Sequence, residues 1–158
     1  GLEHRLGGLE KDGTTGSVSY DGLNHQEMVA TRAEKVARVA NIIPPMEVGG
    51  NVGSDTLVIG WGGTQGAILS AAEKLESEGL PVATVHLRHM NPMPSNIGDV
   101  LGRYKNIIVP EVNSGQLSML LRAAHLVDAK SINVIQGRGF HVAELAAGIR
   151  SVVEEAGQ

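Results

Sequence analysis

The chain has 158 residues, a hydrophobic fraction of 42%, and 13 basic against 17 acidic side chains, which give a formal net charge of −4. This length and apolar content suffice for one hydrophobic core, and no run of basic residues provides the clustered surface that nucleic-acid binding requires. No apolar stretch approaches the roughly 20 residues of a membrane span, and the absence of cysteine excludes disulfides and cysteine-held iron–sulfur clusters within the chain, so we expect a cytoplasmic protein.

Residues 1–25 are rich in glycine and show no sustained hydrophobic period, which predicts an extended arm or interdomain linker. A helix is predicted over residues 26–41, because apolar residues recur there on one helical face. Pro44 and Pro45 end it. The apolar face of this predicted helix consists of Val29, Ala33, Val36 and Ala40.

Because the chain begins at Gly1 without methionine, we expect it to be a piece of a longer protein.

From residue 56 onward, short runs rich in Val and Ile alternate with helical patterns. The runs are apolar on successive residues, which is typical of strands buried on both faces of a parallel sheet. The predicted strands are Thr56–Trp61, Val82–Leu87, Asn106–Val109 and Ile132–Ile135. The predicted helices cover residues 64–78, 96–103, 116–127 and 141–155. This alternation predicts a doubly wound α/β sandwich.

A glycine-rich turn, Gly60–Gly66, follows the first predicted strand. A dinucleotide-binding fingerprint needs glycine at its first, third and sixth places, so that the backbone can approach a pyrophosphate at a helix N-terminus. Gly60 and Gly62 fill the first two places, but Gln65 stands at the sixth, and no acid follows the second predicted strand to bind ribose hydroxyls. We favour the alternative of a tight strand-to-helix turn with Thr64 as the helix N-cap.

Two loops are expected at the point of the sheet where the connections change direction, which is where ligands bind in open α/β sheets. Their candidate site or interface residues are Gly62, Thr64, Gln65, Glu111, Asn113 and Gln116. The last three follow the third predicted strand, where they either cap the next helix or contact another domain or subunit.

His86, Arg88 and His89 stand at the end of the second predicted strand and could form a phosphate or carboxylate pocket. Since alternate residues of a strand share a face, the two histidines need not converge. No further histidine or carboxylate lies nearby in sequence, so we expect no metal site here.

Taken together and in order, several stretches of the chain resemble the C-terminal part of the alpha subunit of 2-oxoacid:ferredoxin oxidoreductases, most closely the 2-oxoglutarate type. They are Gly1–His4, Asn24–Gln26, Arg32–Val36, Leu57–Thr64, Leu87–Arg88, Asn91–Pro94 and Pro110–Leu117. The resemblance covers essentially the whole chain, and the joint order and spacing of these stretches make it specific.

The resemblance implies a three-layer α/β/α sandwich similar to the C-terminal domain of transketolase. Such a sheet has five strands, mostly parallel, with one antiparallel edge strand, for which Met46–Val48 is the candidate. The resemblance also implies a parent enzyme that oxidatively decarboxylates a 2-oxoacid to an acyl-CoA. Its cofactors are thiamine diphosphate, Mg²⁺, an iron–sulfur cluster and coenzyme A, and in this family thiamine diphosphate lies between other domains of the alpha and beta subunits.

On this interpretation, residues 1–45 are a linker arm and helix from the preceding domain, and residues 46–158 are the transketolase-like domain. The pyrimidine-binding domain, the pyrophosphate-binding motif and cysteine are absent from the sequence, so we expect the fragment to bind neither cofactor nor metal and to be non-catalytic alone. Its implied partners are the N-terminal domains of the alpha subunit, the beta subunit and, through the holoenzyme, ferredoxin. His4 and Arg5 are the candidate substrate-side or interdomain contacts.

Two alternatives remain open. The chain could be a stand-alone nucleotide- or phosphate-binding α/β domain that uses Gly62–Gly66 and the cluster His86, Arg88 and His89. It could also be an interaction module, because the predicted helix 116–127 is apolar nearly all round, which indicates either deep burial or an interface in an oligomer.

Overall fold

A computed structural model describes residues 7–156 and divides the chain into two compact units, Gly1–Ile43 and Pro44–Gln158. The boundary between the units falls two residues before the predicted domain boundary. That the first unit belongs to a preceding domain stays a prediction.

The first unit contains a turn followed by a helix. Lys11 and Val18 form an antiparallel bridge, and the Asp12 carboxylate in the intervening turn accepts hydrogen bonds from the following backbone. Helix α1 (Gly22–Ala37) continues into a 3-10 helix, Arg38–Ile42. The predicted start at residue 26 is wrong by four residues, because Asp21 accepts a hydrogen bond from the Asn24 N–H (2.7 Å) and so caps the helix earlier.

The second unit contains a five-stranded sheet with the order β1-β3-β2-β4-β5. The strands are β1 (Gly49–Gly50), β2 (Thr56–Trp61), β3 (Ala83–Leu87), β4 (Asn106–Glu111) and β5 (Ala129–Asn133). Strand β1 pairs with β3 antiparallel, and the other pairs are parallel. The predicted class of sheet, mostly parallel with one antiparallel edge strand, is confirmed.

The predicted edge strand Met46–Val48 is wrong in position. The backbone N–H and C=O of Met46 are bonded to the side chain of Asn96 (2.8 and 3.0 Å), so they are not available to the sheet. Pairing instead begins at Gly49, opposite Thr84. Gly50 has a φ of +65°, and a Cβ there would lie 2.7 Å from the Val82 carbonyl oxygen, so this close approach requires glycine.

Strand β5 also differs from its prediction, since it begins at Ala129 rather than at Ile132. Lys130 and Ser131 are exposed because β5 lies at the other edge of the sheet. Searching for apolar runs therefore misses the polar first half of this strand.

Two helical layers cover the sheet. Helices α2 (Gln65–Ser77) and α5 (Val142–Ala156) pack on one face, and α3 (Ile97–Leu101) and α4 (Gln116–His125) pack on the other. Successive residues of β2 serve the two layers alternately, with Val58 in one core and Leu57 and Ile59 in the other. The predicted three-layer sandwich is confirmed. None of the helices in residues 7–156 is long and apolar enough to cross a membrane.

Candidate functional site at the carboxyl edge of the sheet

The carboxyl ends of β2 and β4 lie side by side, at the point where the chain changes direction across the sheet. From β2 the chain passes to β3 on one side, and then returns across β2 to reach β4 on the other. Ligands of open α/β sheets bind at such a point. The structure therefore brings together the beginnings of the two predicted loops, Gly62–Gly66 and Pro110–Gln116.

Glu111, the last residue of β4, is fully buried at this edge. Its Oε1 accepts hydrogen bonds from the Leu117 N–H (2.8 Å), the Asn113 side-chain amide (3.1 Å) and the Trp61 indole N–H (3.2 Å). Its Oε2 accepts one from the Ser118 N–H (3.1 Å). The carboxylate thus bonds N–H groups of the first turn of α4, where the helix dipole favours negative charge.

Asn113 completes the capping of α4. Its Oδ1 accepts hydrogen bonds from the backbone N–H groups of Gly115 (2.8 Å) and Gln116 (3.0 Å). Gly115 has a φ of +95°, so the turn into α4 favours glycine there. The side chains of Glu111 and Asn113 are thus occupied by local bonds, whereas the Gln116 side chain is exposed.

Contacts within the chain explain the glycines of the turn after β2. A Cβ on Gly60 would collide with the Ile68 side chain and lie 2.8 Å from the Thr64 hydroxyl, and Gly62 has a φ of +58°. Thr64 occupies the predicted N-cap position of α2, but its hydroxyl donates to the Trp61 carbonyl (2.8 Å) and makes no capping bond to the helix. The turn closes back on the end of β2.

Trp61 joins the two loops, and sequence reasoning missed it. It is the single tryptophan of the chain and the last residue of β2, and its indole reaches Glu111 across the adjacent pair β2–β4. The sequence offered one signal for this residue, an aromatic side chain with a polar tip at the end of a predicted strand.

His86, Arg88 and His89 do converge. All three line a cleft of about 490 Å³ beside β3, together with Gln65, whereas Glu111, Asn113 and Gln116 do not line it. Burial lowers the pKa of His86, and the neighbouring positive charge of Arg88 lowers it further, while a backbone hydrogen bond with Gly62 opposes both. The imidazole of His86 is therefore mainly neutral at pH 7.

The remaining candidates are His4 and Arg5, which lie outside the described residues. Within the first unit, sequence reasoning missed a charged cluster. Glu10 accepts two hydrogen bonds from Arg32 (3.0 Å each) and contacts His25 Nδ1 (2.7 Å). These interactions lower the pKa of Glu10 to about 2. In residues 7–156 no group of three His, Asp or Glu side chains is arranged to hold a metal ion.

Comparisons with known proteins identify relatives of the whole chain, although no family model matches it. A 2-oxoglutarate oxidoreductase subunit KorA from Mycobacterium tuberculosis is 40% identical over 154 residues, which are 97% of this chain and 23% of that protein. The alpha subunit of a 2-oxoacid:ferredoxin oxidoreductase from Saccharolobus solfataricus is 29% identical over 146 residues, covering 89% and 23% respectively. The chain thus spans about a quarter of the length of the curated relatives it matches.

Solved structures agree. A 2-oxoglutarate:ferredoxin oxidoreductase from Magnetococcus marinus, solved with 2-oxoglutarate, coenzyme A and succinyl-CoA bound, matches 96% of this chain and 27% of its own with a TM-score of 0.85 and 32% identity. A split-gene transketolase shares the fold alone, over 65% of this chain and 39% of its own, with a TM-score of 0.53 and 16% identity. The chain belongs to the family of 2-oxoacid:ferredoxin oxidoreductase alpha subunits, of which it represents a segment with a transketolase-like fold.

Proposed function

We propose that the chain is the C-terminal, non-catalytic domain of the alpha subunit of a 2-oxoglutarate:ferredoxin oxidoreductase. The longer enzyme would oxidatively decarboxylate a 2-oxoacid to an acyl-CoA and pass the electrons to ferredoxin. The observation that carries this proposal is the match of 96% of the chain, at a TM-score of 0.85, to an enzyme solved with 2-oxoglutarate and coenzyme A.

The residues at the carboxyl edge of the sheet support a structural role. Glu111 is fully buried and surrounded by four N–H donors from its own unit, so it cannot act as an acid or base toward a substrate without breaking the cap of α4. This edge, where related architectures bind ligands, is thus used to join β2, β4 and α4.

The cofactors of the parent enzyme belong to other parts of it in this proposal. The sequence contains no cysteine for an iron–sulfur cluster. The turn after β2 lacks a pyrophosphate-binding pattern, and Glu111, which accepts from the Trp61 indole at the end of β2, is also bonded to N–H groups of α4. Thiamine diphosphate, Mg²⁺, the cluster and coenzyme A would be held by the remaining segments of the alpha subunit and by the beta subunit.

The exposed ends of the two loops are the proposed contacts with those partners. Gln65 and Gln116 present exposed side chains beside buried, fully bonded neighbours. We further assign residues 1–45 to the connection with the preceding domain, with His4 and Arg5 as the proposed substrate-side or interdomain contacts. Location in the cytoplasm also stays a prediction, which fractionation of cells that express the tagged full-length subunit would test.

The first test is calorimetry of the 158-residue chain with thiamine diphosphate and Mg²⁺. We expect no stoichiometric binding, and tight one-to-one binding would contradict the assignment of the cofactor to other domains. The second test is co-purification of the full-length alpha subunit with a tagged beta subunit. Deletion of residues 46–158 should abolish assembly and turnover, and full activity without them would refute the structural role.

A point variant on the proposed interface distinguishes a loss of subunit assembly from a loss of folding. Gln116→Arg changes an exposed side chain at the first position of α4, so the 158-residue chain should lose no more than about 1 kcal/mol of stability. In the full-length subunit, this variant should weaken co-purification with the beta subunit, whereas Val52→Arg, at a 63% exposed loop position, serves as the control. Equal assembly of both variants would place the subunit interface elsewhere.

A further inference from the structure

The cleft beside β3 is separate from the network around Glu111. One edge of β3 pairs with β2 along its length; on the other edge β1 pairs with Ala83 and Thr84, and the rest of β3 lines a cleft together with segment 44–47. The space between them, about 490 Å³, falls within the range of small-molecule sites. This edge of the sheet therefore contains a cavity of ligand size.

The lining of the cleft includes basic side chains. Arg88 and His89 line it and are exposed, and neither has a hydrogen bond or ion pair within residues 7–156. His86 lines it too, and its Nδ1 is the one buried side-chain nitrogen or oxygen of the described residues without a hydrogen-bond partner. A buried polar atom left in this way calls for a further explanation, such as a ligand or ion that reorganises the site.

The lining also includes apolar side chains, namely Ile68 and Leu69 of α2 and Pro44, Pro45 and Pro94. Glu47 is the one acid among the lining residues, and it too is exposed without an ion pair in the described part of the chain. A molecule that fits this lining has an anionic head and an apolar body.

We propose that this cleft binds an organic phosphate, with the phosphate against Arg88, His89 and His86 and the organic body against Ile68 and Leu69. A guanidinium forms strong, paired hydrogen bonds to phosphate oxygens, and each of the two imidazoles carries an N–H group that can donate as well. The volume exceeds that of an inorganic phosphate ion, and the apolar walls favour a ligand with carbon surface over the bare ion. The proposal does not depend on the role of the chain in an oxidoreductase.

The test is an NMR titration of the ¹⁵N-labelled 158-residue chain with phenyl phosphate, with inorganic phosphate, benzoate and phenol as comparisons. Saturable shifts should appear at Gln65, Leu69, His86 and Arg88 below about 10 mM phenyl phosphate, where a millimolar site fills. Phenyl phosphate should bind more tightly than each of the other three. The absence of saturable shifts, or benzoate or phenol binding as tightly, would overturn the proposal.

Substitutions in the lining of the cleft should change the affinity for phenyl phosphate in opposite directions. Arg88→Gln should weaken phenyl phosphate binding at least about tenfold, because a charge-assisted contact is lost. Arg103→Gln, an exposed arginine outside the cleft, should leave the affinity unchanged. Glu47→Gln should strengthen binding about two- to fivefold by removing a repulsive charge. Equal affinities of the Arg88 and Arg103 variants would refute the site.

Protonation of His86 provides an independent readout. Bound phosphate offsets the positive charge of Arg88, so the pKa of His86, which burial and Arg88 lower, should rise in the complex. Arg88, His89 and Glu47 are the other charged or titratable groups that line the cleft. A pKa of His86 that is the same with and without phenyl phosphate would contradict binding next to this imidazole.

Discussion

Glu111 and Glu10 show two ways in which a carboxylate serves the fold. Glu111 is fully buried and accepts hydrogen bonds from backbone N–H groups, so its charge is balanced by the helix terminus. Glu10 lies near the surface and bonds to Arg32 and His25 of α1. Removing the Glu111 carboxylate would lower the stability of the second unit, whereas the stabilisation that Glu10 provides depends on pH.

Replacing Glu111 should destabilise the second unit. In Glu111→Gln one carboxylate oxygen becomes an amide donor that faces an N–H donor, so we expect a loss of about 2–4 kcal/mol in the free energy of unfolding. Urea unfolding followed by the fluorescence of Trp61, the single tryptophan, measures it. Glu154→Gln at an exposed position should change it by less than about 0.5 kcal/mol. Similar unfolding midpoints for the two variants would show that the buried cap is dispensable.

Acidification should release the Glu10 contact with α1. The pKa of Glu10 is lowered from 4.5 to about 2, mainly by Arg32 and then by His25, so the charged form favours the folded state. This stabilisation is complete above the ordinary pKa and is lost as the pH falls from about 4.5 to about 2. The ¹³C resonance of the Glu10 carboxyl group follows it directly. Arg32→Gln should raise this pKa and Arg38→Gln should not, and equal effects would rule out Arg32 as the main cause.

At the scale of elements, helix ends were harder to predict than helix centres. The amphipathic centre of α1 was predicted correctly, but its start depended on Asp21, one side-chain oxygen bonded to one N–H. The end of α4 was equally hard to predict. Its C-cap residue, Leu126, adopts the left-handed conformation (φ +54°), and its side chain is 91% exposed. Capping details of this kind leave no hydrophobic period in the sequence.

Glycine at the C-cap of α4 should raise the free energy of unfolding. Leu126→Gly removes the steric cost of a left-handed leucine, so we expect a gain of about 0.5–1 kcal/mol in the free energy of unfolding. Leu120→Gly, inside the same helix, should instead lower it by about 1 kcal/mol or more. Urea unfolding curves of both variants provide the measurement. Destabilisation by Leu126→Gly would indicate that the leucine side chain makes a contact that outweighs its backbone strain.

At the scale of the molecule, the hydrophobic cores belong to the second unit. Both clusters that cover the sheet consist of residues from Met46 onward. In the first unit, α1 contributes no buried residue. This chain, which spans 23% of the length of the KorA relative, thus contains one sheet covered on both faces and, in its first unit, a helix α1 without buried residues.

The second unit should therefore fold without the first. A chain of residues 44–158 should keep a cooperative unfolding transition, with a free energy of unfolding within about 0.5 kcal/mol of that of the 158-residue chain. Trp61 fluorescence and circular dichroism in urea test this. A loss of more than about 2 kcal/mol would show that residues 1–43 contribute to the stability of the sheet.

The sequence by itself determined the α/β class, the three central strands, the order of helices and the family. These follow from hydrophobic period and from motif order, which are properties of neighbouring residues. Only the tertiary structure decided that β1 begins at Gly49, that Trp61 meets Glu111, and that His86, Arg88 and His89 share a cleft. The first two depend on residues from different strands, and the cleft depends on segment 44–47 and α2 lying beside β3. Sheet order and side-chain direction are set by packing of the whole unit rather than by local pattern.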